Sequence, residues 1–175
     1  MERRTVSARS LVLDANGVAH RPLGEEDDWF HTPDGQFWGK FGAAGLLLVH
    51  PTEGVLLQLR SHWSHFGGTW GLPGGAMKRG ETAEEGALRE AHEEAGVPLE
   101  AVEVLGRRTV SYGSWQYTTV LACSIRDFNP EIGDAESDAL RWVHLEHVQD
   151  LNLHPELALA WPHLHEILAG EQWVR

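Results

Sequence analysis

Residues 75–97 read GAMKRGETAEEGALREAHEEAGV, and the rest of the chain is organised around them. Thr82-Ala83-Glu84-Glu85 has the form of a capping box, in which the N-cap hydroxyl and the N3 carboxylate each satisfy an orphan backbone N–H. Gly96 is the residue type that most readily takes the left-handed conformation closing a helix. A helix is therefore expected between them. At about 100° per residue, Glu90, Glu93 and Glu94 share one arc, and Ala87, Leu88, Ala91 and Ala95 fill the neighbouring one. One face packs and the next carries three carboxylates. Like charges at i,i+3 and i,i+4 cost roughly 0.2–0.5 kcal/mol per pair, so the cluster calls for a compensating cation. Carboxylate oxygens favour a hard divalent ion, Mg²⁺ or Mn²⁺, over zinc.

The segment resembles the Nudix box, G-x5-E-x7-R-E-U-x-E-E-x-G-U with U an apolar residue. Gly75, Glu81, Arg89, Glu90, Glu93, Glu94, Gly96 and Val97 fall in register, with the small Ala91 at the inner apolar position. Trp70 to Gly75 also resembles the family's approach to the box. The resemblance implies an α/β fold, an α/β/α sandwich around a mixed, curved β-sheet, with the box as loop, helix and loop. It also implies hydrolysis of a phosphoanhydride, in which divalent ions neutralise the diphosphate and lower the pKa of bound water. Glu90 and Glu94, one turn apart, are the expected metal ligands, with Glu93 completing the cluster and the Gly75 carbonyl adding a backbone oxygen. Arg89 has Glu85 at i−4 and Glu93 at i+4, which casts it as an orienter of carboxylates, and Glu81 is placed to support the loop. The general base is sought among Glu93, Glu94 and Glu136. Glu136, six residues before Trp142, resembles an extra metal ligand or base of the family, with a solvated charge as the plain alternative.

At 175 residues the chain is expected to form one domain, residues 1–175, with 1–40 an N-terminal extension of uncertain role. Its apolar fraction of 42% and charged fraction of 23% are ordinary for a globular protein, and no apolar run is long enough to span a bilayer. A formal charge of −12 argues against nucleic acid or an anionic membrane as a partner through a broad basic surface. The basic N-terminus has no apolar core of a secretory signal, and a lone Cys123 fits a reducing cytoplasm, where it reads as a small buried hydrophobe. A homodimer is left open.

Along the chain, Arg9 to Leu13 reads as a strand turning at Asp14-Ala15-Asn16-Gly17. Gly24 to Gly35, with Trp29 and Phe30, reads as an irregular loop or hairpin whose aromatics are expected to fill a seam, with covering a substrate as the alternative. Gly42 to Val49 suits a strand buried on both faces, returning antiparallel through Val55 to Arg60. Ser61 to Gly68 is a loop whose Trp63 and His65 are candidates for stacking on a base or donating hydrogen bonds. Val102 to Leu105 and Thr109 to Tyr112 read as two strands and Trp115 to Ile125 as a long one, with Trp115 and Tyr117 further base-stacking candidates. The acidic loop Glu131 to Asp138 precedes a strand at Leu140 to His144. A short helix near Glu146 to Leu151 and a longer one after Pro155 finish the chain, the latter packing Leu157, Trp161, Leu164 and Leu168.

His144 with His147, and His163 with His165, lack the companions of a zinc site, and no P-loop or dinucleotide fingerprint occurs. By the resemblance the substrate is a nucleoside diphosphate linked to a further group. A modified nucleoside triphosphate such as 8-oxo-dGTP is the leading expectation, followed by ADP-ribose or another sugar nucleotide. The family's CoA and NADH signatures are not met. A non-catalytic nucleotide sensor is the alternative of a different class.

Overall fold

The computed structural model describes residues 24–170 and the backbone of two short strands, β1 (Val12–Leu13) and β2 (Ala19–His20), which pair antiparallel. The turn expected at Asp14 to Gly17 lies outside the described residues.

The apolar run forms β5 (Ala43–His50), and its alternate side chains are buried on opposite faces, as a two-residue period requires of a strand covered twice. Leu46 and Leu48 pack with Ala87, Ala91 and Ala95 of α1 (Ala83–Ala95). Leu47 packs with Trp161, Leu164 and Leu168 of α2 (Pro155–Ala169). The result is a mixed sheet between two helices. Its strand order is β11-β6-β5-β10-β9, with β6 (Gly54–Arg60), β9 (Val102–Tyr112), β10 (Trp115–Ser124) and β11 (Ser137–Val143). The central pair β5–β10 is parallel and β9, β6 and β11 add antiparallel.

β5 and β6 pair only beside their turn, at Val49–Val55 and His50–Gly54. Beyond it they splay, and the gap is filled by β7 (Trp70–Gly71) on β6 and β8 (Gly74–Ala76) on β5. Two strands of two and three residues were not legible in the sequence. β8 is pressed so closely that a Cβ on Gly74 would stand 2.4 Å from the Ala44 carbonyl oxygen. The two strands expected at Val102–Leu105 and Thr109–Tyr112 are one strand, because the interruption is a β-bulge. Leu121 pairs Gly106 and Ala122 pairs Val104, which leaves Leu105 as the extra residue. Leu145–Asp150 is a 3₁₀ segment in place of the expected short α-helix. The stretch read as a loop or hairpin is a hairpin, β3 (Trp29–Thr32) with β4 (Gly35–Trp38), which among the described residues forms a two-stranded sheet of its own.

Candidate active site

α1 starts where the capping box places it. Thr82 N–H donates to Glu85 Oε2 at 2.8 Å and Glu85 N–H donates to Thr82 Oγ1 at 3.2 Å. It ends at Gly96, left-handed with φ 64°. With both ends pinned and the alanine face against the sheet, the acidic face turns toward β8. Glu90 is 3% exposed and Glu94 4% exposed, whereas Glu93 is partly exposed.

Arg89 ties these carboxylates to the loop. Its Nε donates to Glu81 Oε1 at 2.7 Å, and its Nη2 donates to Glu81 Oε2 at 2.9 Å and to the Ala76 carbonyl at 3.1 Å. Its Nη1 donates to Glu90 Oε1 and lies 3.7 Å from Glu93 Oε2. The expected pairing with Glu85 is corrected, because that carboxylate is held by the Thr82 cap. Burial acts to raise the Glu81 carboxyl, but the Arg89 hydrogen bonds and the Lys78 N–H outweigh it and hold it below its usual range. Burial acts to lower the Arg89 guanidinium, and the Glu81 and Glu90 carboxylates overcome that and raise it.

Glu94 is the electrostatic centre. Its Oε2 accepts the Gly74 N–H at 2.9 Å. Burial, and then the charges of Glu90, Asp134 and Glu136, push its carboxyl well above the ordinary value, with the Gly74 N–H opposing. Gly75 packs against Glu90, since a Cβ there would come within 3.0 Å of the Glu90 carboxyl carbon. The acidic loop reaches this centre by wrapping the end of α1. Glu131 N–H donates to the Ala95 carbonyl at 3.1 Å and Gly133 N–H to the Glu94 carbonyl at 3.0 Å. Ser61 holds the loop's other end: its N–H donates to the Glu136 carbonyl at 2.9 Å, and its Oγ lies 2.7 Å from both Ala135 O and Asp138 Oδ1. Glu136 is thus brought to Glu94. So is Asp134, one acid among several in its loop with no motif to single it out.

Among the described residues, no three His, Cys, Asp or Glu side chains converge on a single ion position. Glu90 leans on Arg89, and Glu94 on the Gly74 N–H. The donor set nevertheless suits a hard cation: hard oxygen donors with excess negative charge, two of them buried. The imagined histidine pairs make local contacts only, His147 with Asp150 at 3.3 Å and His163 with Glu166 at 3.9 Å.

The aromatic candidates separate. Trp115 is corrected to a packing residue: it is buried, one face stacks on Phe37 at 4.7 Å, and its Nε1 donates to the Gly39 carbonyl at 2.7 Å. Tyr117 lies on the sheet against Gly45 and Leu72, and burial with the nearby Glu94 charge lifts its hydroxyl to about 12 despite Arg60. His65 touches Trp29 and Phe66 edge-on, and its carbonyl accepts Arg60 Nε at 3.0 Å. Trp63 is exposed on the same loop. A separate cavity of about 550 Å³, lined by Leu151, Trp161 and His165 among others, lies along α2 and contains no residue of the box.

A mixed sheet between two helices, carrying a capped acidic helix beside a glycine-rich loop, defines a hydrolase of the Nudix class. Residues 39–164 match the NUDIX domain family, and the chain belongs to it. It is 46% identical over 154 residues to "Putative 8-oxo-dGTP diphosphatase 3" of Mycobacterium tuberculosis, covering 81% of this chain and 70% of that protein. A nucleoside triphosphate pyrophosphatase/Nudix hydrolase fusion protein of Bifidobacterium longum is 40% identical over 145 residues, which cover 78% of this chain and 30% of the fusion. Among solved structures, RenU, a Nudix hydrolase of M. smegmatis, superposes with a TM-score of 0.76 at 42% identity, covering 85% of this chain and 99% of RenU. Nudix proteins generally work with a divalent metal ion and hydrolyse nucleotide pyrophosphates. No helix among the described residues is long and apolar enough to cross a membrane.

Proposed function

We propose that this hydrolase cleaves the phosphoanhydride of a modified nucleoside triphosphate such as 8-oxo-dGTP, using Mg²⁺ or Mn²⁺ held by Glu90, Glu94, Glu93, the Gly75 carbonyl and Glu136. The observation that carries the reading is the crowding of Glu90, Asp134 and Glu136 charge around the buried Glu94, directly against the Gly74–Gly75 backbone. The name of the M. tuberculosis relative supports the substrate.

Bound at these carboxylates, a hard divalent ion neutralises diphosphate oxygens and makes a bound water more acidic. The protein's own residues do the rest. Glu81 fixes Arg89 through two hydrogen bonds, and Arg89 fixes Glu90, so the carboxylate fan is set before substrate arrives. The Gly74 N–H orients Glu94. One of Glu93, Glu94 and Glu136 takes the proton of the attacking water as oxygen bonds to phosphorus and the anhydride oxygen leaves with its electron pair. Trp63, His65 and Tyr117 line the approach to the substrate. The setting is a reducing cytoplasm.

The test is a panel of 8-oxo-dGTP, dGTP, ADP-ribose and sugar nucleotides assayed with and without Mg²⁺ or Mn²⁺. The expected result is metal-dependent formation of the nucleoside monophosphate, with the highest kcat/KM on 8-oxo-dGTP. A higher kcat/KM on ADP-ribose would overturn the substrate, and metal-independent activity would overturn the mechanism.

A further inference from the structure

The hairpin β3–β4 has two unlike faces. Phe37 points into the protein, stacked on Tyr112 at 4.6 Å and on Trp115 at 4.7 Å. On the other face Trp29 and Trp38 are cross-strand partners, edge to face at 5.4 Å, and remain 39% and 38% exposed. An isolated hairpin that leaves two tryptophans half in water pays a hydrophobic cost unless they have a further use.

Two routes link that face to the box. Directly after Trp38, a Cβ on Gly39 would lie 3.2 Å from Ala76 Cβ, and Met77 N–H donates to the Gly42 carbonyl at 2.9 Å, so the hairpin springs from the box itself. Arg79 of the box lies over Phe41 at 4.8 Å and pairs with Glu25 at 2.5 Å. On the other side, Trp29 meets His65 at 5.4 Å, and the His65 carbonyl holds Arg60. Arg60 Cδ would stand 3.9 Å from a Cβ on Gly71, three residues before Gly74, whose N–H donates to Glu94 at 2.9 Å. Along this route an aromatic wall is followed by a guanidinium and then by the carboxylates. This is the order of base, phosphate and scissile anhydride in a nucleotide.

We propose that Trp29 and Trp38 form the wall on which the substrate's nucleobase rests, with Arg60 holding the phosphate between that base and the carboxylates. The inference rests on the nucleotide-hydrolase reading. Of the two roles weighed for the Gly24 to Gly35 aromatics it takes substrate covering over packing, and it places the base on a hairpin that lies outside the matched residues 39–164.

The experiment is titration calorimetry with non-hydrolysable ligands: the α,β-methylene analogues of dGDP and ADP, and methylenediphosphonate, which has no base. The wild type is expected to bind at least one of the nucleotides at least about 10-fold tighter than methylenediphosphonate. In the Trp29→Leu/Trp38→Leu double variant that advantage should vanish while the affinity for methylenediphosphonate stays within about 2-fold, which also shows that the site is still folded. Trp38→Phe should retain most of the advantage, and Arg60→Gln should weaken all three ligands together. An unchanged nucleotide advantage in the double variant, or no advantage in the wild type, overturns the proposal. Because binding is read without turnover, either result leaves the hydrolase reading standing, and failure of the hydrolysis panel would appear separately.

Discussion

Replacing Glu94 by glutamine should make the metal-free protein more stable and the enzyme nearly inactive. In the structure Glu94 is 4% exposed, lies within the fields of Glu90, Asp134 and Glu136, and has the Gly74 N–H as its opposing partner. Glutamine is nearly isosteric. Its Oε1 can accept the same N–H, and its Nε2 offers a donor where the wild type has a like charge. Relief of partly buried like-charge repulsion, less the weakened hydrogen bond, is worth on the order of 1–3 kcal/mol. For a domain of this size that raises Tm in EDTA by about 3–9 °C. The pH dependence carries the sign. A carboxyl whose folded pKa is raised adds stability below its unfolded value and loses it as pH rises through the folded value. The advantage of the variant should therefore grow as pH rises through the folded value of Glu94 and close as pH falls toward the ordinary 4.5. Metal should act oppositely: a saturating divalent ion stabilises the wild type by RT ln(1 + [L]/Kd) and the variant much less, while kcat falls by about 10²-fold or more. Differential scanning fluorimetry across pH, with and without Mg²⁺ or Mn²⁺, reads all of this. A variant less stable than wild type in EDTA, or one retaining the full metal-induced rise in Tm, would refute the charge-crowding account.

Arg89→Lys keeps the charge but not the fork that reaches Glu81 twice, Glu90 and the Ala76 carbonyl. It should destabilise the fold by about 1–3 kcal/mol and reduce kcat more than it raises KM, as thermal melts and steady-state kinetics would show. At Gly45 an added Cβ would stand 2.2 Å from the Tyr117 hydroxyl. Gly45→Ala should therefore cost about 1–3 kcal/mol, and Gly45→Ala/Tyr117→Phe should recover most of it in urea unfolding.

What was legible in the sequence was local. α1 could be bounded to the residue because a capping box and a left-handed glycine act within one turn of the chain, and both are present as expected. The two-faced burial of β5 was likewise visible in an unbroken apolar run. Helix spacing also suggested Arg89's partners, Glu93, which lies 3.7 Å away, and Glu85, which does not pair with it. The true principal partner, Glu81, sits in the loop before the helix, and Glu85 was already committed to the cap. Trp115 shows the same limit from the other direction. An aromatic on a strand next to a site looks available until the hairpin that covers it is in place.

The local sequence sets the pattern of groups along α1: carboxylates at helical spacing, an arginine among them, and glycines at the approaches, all fixed by interactions a few residues long. Which acids from elsewhere join them is set by the fold. Asp134 and Glu136 reach Glu94 because backbone N–H groups of their loop bond the open carbonyls at the end of α1 and Ser61 anchors the loop from β6's end. The same holds for β7 and β8, which exist only where β5 and β6 part and leave unpaired backbone to be satisfied. Contacts of that kind depend on where distant segments meet, and no pattern within either segment encodes the meeting.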